Sequence, residues 1–316
     1  MYSAAPKRKE RNITADRVVH AFVRLVVLFL NIVPEGMARS LGKLAGRGAW
    51  KLNARWRRRV MQNMDIAFRD AKTRAEKVEL SRRYFEHLGL AAVEFARMTR
   101  LTPENVTDLC DLTELRQFDE ILMNRRGVIC VPAHHGNWEL CGYSVALRGY
   151  PIKSVARPLD NPLLNEFVME HRQKSGNVIV EKWKVLWKLK KMLDNGDVVT
   201  MSVDQNGGVG GMFVPFFGSL ASTVASPADL HVATGTPIII ATLNRKPDGV
   251  HHVLRVWDVI APSPEKSDSR AVLTRINAAV ERSIREYPEQ WLWIHNRWKT
   301  RPPGEIRAKD GLPPLI

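Results

Sequence analysis

The 316-residue chain is 45% hydrophobic and 26% charged, which supplies a substantial core, excludes a wholly disordered protein and fits one large domain or two modest ones. Forty-eight Lys+Arg against 33 Asp+Glu give +15, a field that attracts phosphate-bearing partners such as nucleic acid, anionic lipid or an acidic carrier. Cys110, Cys130 and Cys141 form no CxxC pair and no even set, so neither a disulfide framework nor a cysteine zinc site is indicated and a reducing compartment fits.

The surplus of charge is concentrated at the start. Residues 1–100 hold 22 Lys+Arg and 9 Asp+Glu, leaving 26 against 24 for the remainder, the pattern of a surface-docking region attached to an ordinary globular body. Within it KRKER (Lys7 to Arg11) precedes the apolar run VVHAFVRLVVLFLNIV at 18–33, which Pro34 closes. About 20 apolar residues are needed to cross a bilayer. This run is shorter and carries His20, Arg24 and Asn31. It spans only with tilting or thinning; the alternatives are a helix lying in the interface, or a core helix behind a basic tail. Arg24 and the lack of a small-x-small cleavage site argue against a signal peptide, and KRKER suits anionic headgroups or a cytoplasmic N-terminus. Residues 1–40 are therefore read as a basic tail and an apolar membrane-associating helix, and 41–316 as a single domain, helical over 41–100 and α/β over 101–316.

Apolar residues three and four apart, as in Val78, Leu80, Tyr84, Leu88 and Val93, predict two or three helices over 38–98. Arg55, Arg57, Arg58 and Arg59 beside Trp50 and Trp56 suit an interfacial face, or simply a solvated one. After residue 120 short apolar runs alternate with amphipathic stretches. Strands are expected at 127–133, 152–156, 177–181, 197–204 and 236–243, helices at 137–148, 161–174, 182–194 and 226–234, an added strand at 251–260, either parallel or antiparallel to its neighbour, and a closing helix at 270–287. Such alternation defines an α/β fold with a mainly parallel, mixed sheet flanked by helices.

The most informative stretch is VICVPAHHGNWELCG at 128–142. An apolar strand delivers His134 and His135 to its C-terminal end, where open sheets place their crevices, and Gly136 and Asn137 then start a helix. In the HxxxxE pair, His134 acts as base on a hydroxyl while Glu139 fixes its tautomer. Five residues apart on one helix would be about 140° apart, so the pair meets only if His134 lies in the turn before the helix. His135 with Glu139 is the rival pair at i,i+4. A satisfied polar pair and half a zinc site are the plainer alternatives, although no third spaced ligand accompanies them.

Other stretches are less specific. GGVGG (Gly207 to Gly211) lacks the Lys-Ser/Thr of a phosphate loop and suits a mobile lid. EKWKVLWKLKKML (181–193) combines Lys182, Lys184, Lys188, Lys190 and Lys191 with Trp183, Leu186, Trp187 and Leu189, as for a helix against a membrane or an acidic carrier, or one packed on the sheet. Trp291, Trp293 and Trp298 read as core or interface packing rather than a cofactor box.

AHHGNWE, then ARPLDNPLLNEFVMEHRQKSG (156–176), SVDQN (202–206), FVPFFGSLASTVASPADLHVATGTPII (213–239) and PEQWLWIHNRWK (288–299), in that order, resemble the bacterial lipid A biosynthesis acyltransferases of the lysophospholipid acyltransferase superfamily. The resemblance implies an O-acyltransferase on the cytoplasmic face of the inner membrane, taking an acyl chain from acyl carrier protein or acyl-CoA to a glycolipid hydroxyl, a lipid A precursor or a relative such as a phosphatidylinositol mannoside, without cofactor or metal. It places the catalytic pair on His134 and Glu139. Substrate contacts fall on Arg172, Asp204 with Gln205 beside it, and Thr223, with Arg157 a weaker candidate. Arg172 suits an oxyanion or a lipid phosphate, and Asp204 suits holding that arginine or accepting from a sugar hydroxyl. Two competing readings are a nucleic-acid or other anionic-surface binder, for which no nucleic-acid motif appears, and a metal-dependent hydrolase.

Overall fold

The computed structural model describes residues 12–123, 127–181, 186–262, 268–305 and 312–316. The basic run at 7–11, and Lys182, Trp183 and Lys184, lie outside the described residues.

Four helices come first: α1 (Ile13–Ile32), α2 (Glu35–Leu52), α3 (Ala54–Phe68) and α4 (Arg74–Arg97). Their boundaries are set by local chemistry. Asn12 accepts from the Ala15 amide to start α1, Pro34 separates α1 from α2, Asn53 caps α3 through Trp56, and Thr73 with Glu76 forms a capping box on α4. Residue 40, the expected end of the first segment, falls inside α2. Helices α2 and α4 cross so closely at Gly42, Gly46 and Gly89 that a Cβ on Gly89 would collide with the Gly42 carbonyl. The 18–33 run forms most of α1, and no helix among the described residues is long and apolar enough to cross a membrane. One flank of α1 is held, since Asn31 Nδ2 donates to the Ala96 carbonyl at 2.9 Å and Arg97 and Arg100 cap its last carbonyls. Its outer face leaves Phe22, Leu25, Phe29 and Ile32 exposed.

The body follows. Its strands are β1 (Cys110–Asp111), β2 (Val128–Val131), β3 (Ile152–Ala156), β4 (Val178–Glu181), β5 (Val198–Thr200), β6 (Met212–Phe216), β7 (Ser219–Thr223), β8 (Ile238–Arg245) and β9 (His252–Ile260). Its helices are α5 (Val106–Leu109), α6 (Arg116–Leu122), α7 (Trp138–Leu147), α8 (Pro162–Gln173), α9 (Leu186–Asp194), α10 (Ser226–Thr234) and α11 (Ser269–Glu286). Seven strands form one sheet in the order β1-β9-β8-β2-β5-β3-β4. Strands β2, β3, β4, β5 and β8 run the same way, β9 pairs antiparallel with β8, and β1 runs with β9. The sheet is buried on both faces, which is why VICV is wholly apolar. Ile129 and Val131 point into a core with Tyr84, Phe85, Leu273 and Ile276, while Val128 and Cys130 point the other way, onto Phe118, Leu140 and Tyr143.

Two elements depart from expectation. The apolar run 197–204 is strand only to Thr200, so Asp204 lies beyond the strand end. Residues 212–223 form the β6–β7 hairpin, whose two-residue turn is Phe217-Gly218, both at positive φ (51° and 69°), as a type I′ turn requires. A phenylalanine hides that signal. It is held by ring contacts with Phe68 and Phe216 and by Arg285 over its face. The glycine run is tied to this hairpin, with Gly207 N donating to Ser222 O and Ser222 Oγ to Gly208 O. In α9, Leu189 and Leu193 pack inward and Trp187, Lys188, Lys190 and Lys191 face solvent.

Candidate active site

Strands β2 and β5 are parallel neighbours in the register Cys130↔Thr200. Four residues beyond each of these positions the chains reach His134 and Asp204, and the side chains meet at the carboxyl edge of the sheet. His134 Nδ1 donates to Asp204 Oδ1 at 2.8 Å and the His134 amide donates to Oδ2 at 2.7 Å. Trp291 Nε1 donates to the same Oδ2 at 2.9 Å. An ionised carboxylate has no proton to give, so Nδ1 carries the hydrogen and Nε2 keeps its lone pair. Gln205 Nε2 lies 3.3 Å from that nitrogen, and the Trp138 ring stands edge-on to the imidazole at 5.4 Å.

The charges reinforce this arrangement. Burial opposes ionisation of Asp204, yet His134 and the Trp291 indole pull its carboxyl down to about 2. Burial likewise opposes the imidazolium of His134, but the Asp204 charge and hydrogen bond, helped by Glu139 and offset in part by Arg172, hold its pKa above the ordinary value.

Glu139 is not the hydrogen-bonded orienter of His134. It sits in the first turn of α7 and receives a bidentate fork from Arg172 of α8, Nε to Oε2 at 2.8 Å and Nη2 to Oε1 at 2.6 Å. Consequently Arg172 is held by Glu139, not by Asp204. Asp204 can meet the imidazole because it lies just past the end of β5, the strand beside β2, whereas Glu139 follows the turn and is carried round to face α8.

The turn between His134 and Trp138 is fixed on all sides. Gly136 has φ +66°, and a Cβ there would run into the Leu243 carbonyl. Its amide donates to Gln290 O at 3.0 Å, the Asn137 amide to Leu243 O at 2.9 Å, and the Leu292 amide to His134 O at 2.9 Å. His135 is fully buried, with Nε2 2.9 Å from the Tyr287 carbonyl and Nδ1 3.1 Å from Asn244 Nδ2, and burial pushes its pKa down to about 4. His134 and His135 thus have different settings: the first is accessible and carboxylate-bound, the second a buried strut.

Beneath the turn lies a buried ionic cluster. Glu94 of α4 receives Arg245 Nη2 at 2.7 Å, Arg39 Nη1 at 3.1 Å and Asn137 Nδ2 at 2.8 Å, with His252 Nε2 at 3.4 Å. Asn137 Oδ1 accepts from the Leu140 amide as the cap of α7. Burial opposes the Glu94 charge, but His252 and Arg245 hold its carboxyl well below the ordinary range. The sequence marks neither Glu94 nor Trp138 and marks Trp291 only as packing, because nothing in a helical glutamate or a lone tryptophan reveals its distant partner.

The remaining expected residues are not gathered at the imidazole. Thr223 is fully buried, accepting from Arg297 Nη2 at 2.6 Å and donating to Ala221 O at 2.9 Å. Arg297, itself buried, lies over the Phe216 ring, and burial lowers its pKa to about 10. Arg157 pairs with Asp160 at the surface, 3.2 Å away. Among the described residues no group of three or more His, Cys, Asp or Glu is arranged to hold a metal ion.

A family model described as bacterial lipid A biosynthesis acyltransferase matches residues 6–300. The chain is 27% identical over 284 residues to a lipid A biosynthesis lauroyltransferase of Escherichia coli, covering 88% of this chain and 90% of that protein. It is 28% identical over 248 residues to the lipid A biosynthesis palmitoleoyltransferase of the same organism, covering 77% and 79%. A phosphatidylinositol mannoside acyltransferase of Mycolicibacterium smegmatis is 24% identical over 253 residues, covering 77% of each chain.

Proposed function

The chain belongs to the bacterial lipid A biosynthesis acyltransferase family, and on that premise we propose that it moves a fatty acyl chain from a thioester, acyl carrier protein or acyl-CoA, to a hydroxyl of a lipid A precursor. His134 is the base in this reading, with Asp204 in the orienting role. Nε2 of His134 takes the proton of the acceptor hydroxyl while Asp204 stabilises the imidazolium that forms. The alkoxide oxygen bonds to the thioester carbonyl carbon, and the C–S bond breaks as the resulting oxyanion collapses. His134 returns its proton to the departing thiolate, so no covalent acyl-enzyme is needed.

Glu139 acts through Arg172. Fixing the guanidinium on a carboxylate fork gives a preorganised cation near the imidazole, suited to the developing oxyanion or to a lipid phosphate. Gln205, close to Nε2, is suited to orient the acceptor hydroxyl. Thr223 contributes through Arg297 and the hairpin, and Arg157 as a surface contact for an anionic substrate. Attachment is peripheral, at the cytoplasmic face of the inner membrane: α1 lays its exposed phenylalanines and leucines into the interface while basic residues meet the headgroups. The observation that carries the proposal is the His134 imidazole, bonded through Nδ1 to a buried carboxylate with Nε2 left as an acceptor.

The test is acyl transfer by the purified chain in detergent, with acyl carrier protein and CoA thioesters as donors and a lipid A precursor as acceptor. An ester-linked product with one added acyl chain is expected, and none from His134→Asn. Transfer retained by that variant would remove His134 as the base. A mannosylated phosphatidylinositol tried in parallel decides the second reading, which the similarity to the Mycolicibacterium smegmatis protein motivates.

A further inference from the structure

Away from the imidazole, where α2 ends, α3 begins and α4 passes beneath, there is a groove of about 390 Å³. Its floor and walls are apolar, from Trp50, Met61 and Val78, and its rim is cationic, from Arg57, Arg58 and Arg74. Arg57 lies over the Trp50 ring at 5.6 Å, and its Nη1 donates to the Trp50 carbonyl and, at 3.1 Å, to the Lys51 carbonyl at the end of α2. No carboxylate neutralises it among the described residues. The Arg58 guanidinium has no ionic or hydrogen-bond partner among the described residues. The acid at the rim is Asp65, and Lys77 at 3.1 Å and Arg74 at 3.4 Å already share it. The groove therefore carries uncompensated positive charge over an apolar floor.

We propose that this groove binds an anionic phospholipid, with the headgroup phosphate between Arg58 and Arg74 and the upper acyl chain over Trp50, Met61 and Val78. Charge and shape both select this occupant. A phosphate satisfies the Arg58 guanidinium, which no side chain among the described residues meets, and adds to the single 3.4 Å contact that Arg74 makes with Asp65, and the volume falls in the range of small-ligand sites. An acidic carrier would present several carboxylates across a convex face, for which a flat basic surface is better matched than a concave apolar floor. Within two residues of Ala54, at the same corner, Leu52 is 88% exposed and Trp56 is 45% exposed, as expected where chain and indole reach the hydrocarbon boundary. The site rests on the peripheral membrane association proposed above and adds headgroup recognition to it.

Two measurements on the full chain separate the site from the membrane attachment. The first is calorimetric titration with dihexanoyl phosphatidylglycerol below its micellar concentration, with dihexanoyl phosphatidylcholine and inorganic phosphate as comparison ligands. The second is sedimentation with phosphatidylcholine vesicles with and without phosphatidylglycerol. Variants are Arg58→Ala with Arg74→Ala, Val78→Asp, and Lys188→Ala with Lys190→Ala as a control of equal charge loss. Wild type should bind the anionic short-chain lipid in preference to both comparison ligands. The arginine variant should lose that preference about tenfold or more, Val78→Asp should lose it as well, and the lysine control should keep it. Acyl transfer in detergent should be unchanged in the arginine variant.

Equal loss in the lysine control means diffuse charge and overturns the proposal, as does a preference that the arginine variant retains. Inorganic phosphate competing as well as the lipid would mean a plain anion site and overturn it too. Binding to the short-chain lipid with no sedimentation on any vesicle would leave the site standing and remove the peripheral attachment.

Discussion

Replacing Asp204 by Asn changes one atom and reverses the hydrogen-bond logic of the site. The carboxylate accepts from three donors, His134 Nδ1, the His134 amide and Trp291 Nε1. An amide keeps a single oxygen, which best serves the two donors converging on the Oδ2 position. Its NH₂ then faces Nδ1, so the imidazole hydrogen moves to Nε2 and the base is lost where the hydroxyl must be met. Misplacing the tautomer in this way costs about 10³–10⁴ in kcat, about 4–5.5 kcal/mol of transition-state stabilisation. The pH profile moves too. In the proposed reaction His134 acts as a base when neutral, so wild-type activity should rise with pH through a pKa held above the ordinary histidine value, and without the anion the acid limb should move to lower pH.

Stability follows with its own sign. Asp204 falls from 3.8 to about 2 on folding, contributing about 2–3 kcal/mol that is present above its unfolded pKa and lost as pH falls through the folded one. His134, with its pKa raised, contributes below 6.5 and loses that contribution as pH rises through the folded value. The two are one interaction seen from both partners. The assay is kcat against pH for wild type and Asp204→Asn, with urea unfolding of each at acid and neutral pH. A variant within tenfold of wild type, with an unmoved acid limb, would refute the dyad.

His134→Asn retains a donor toward Asp204, so urea unfolding should place it within about 1 kcal/mol of wild type while transfer is lost. His135→Ala, which strands Asn244 and the Tyr287 carbonyl in the core, should be destabilised by about 2–4 kcal/mol. Arg172→Lys removes the fork to Glu139 and should lower kcat about 10–100-fold with little change in melting temperature, a split that steady-state kinetics and calorimetry read together. Glu94→Ala leaves Arg245 buried without its carboxylate and should cost about 3–5 kcal/mol by chemical denaturation.

Hydrophobic pattern made the sheet and its crossovers readable, because strands buried on both faces leave short unbroken apolar runs such as VICV and TPIIIATL. Most of the expected elements from 127 onward recur within a few residues of their place. The 101–126 segment did not read, since α5 has four residues and β1 two, too few to show a period. Phe217 in a turn that favours Asn concealed the β6–β7 hairpin. At the site, the block around His134 was visible because two histidines closing an apolar strand are conspicuous. The partner of the imidazole was misread for a definite reason: spacing along one segment brings Glu139 to mind, whereas the carboxylate that reaches Nδ1 comes from 70 residues further on, across the sheet. Pair distances within a segment follow from helix geometry, but contacts between strands need the strand order.

That strand order has a consequence for how activity fails. The imidazole and its carboxylate are contributed by separate crossovers and aligned by the β2–β5 ladder, so neither half of the body holds the proposed base in its oriented form by itself. Partial opening of the ladder on warming should silence turnover before helical signal disappears, and cooling should restore both together.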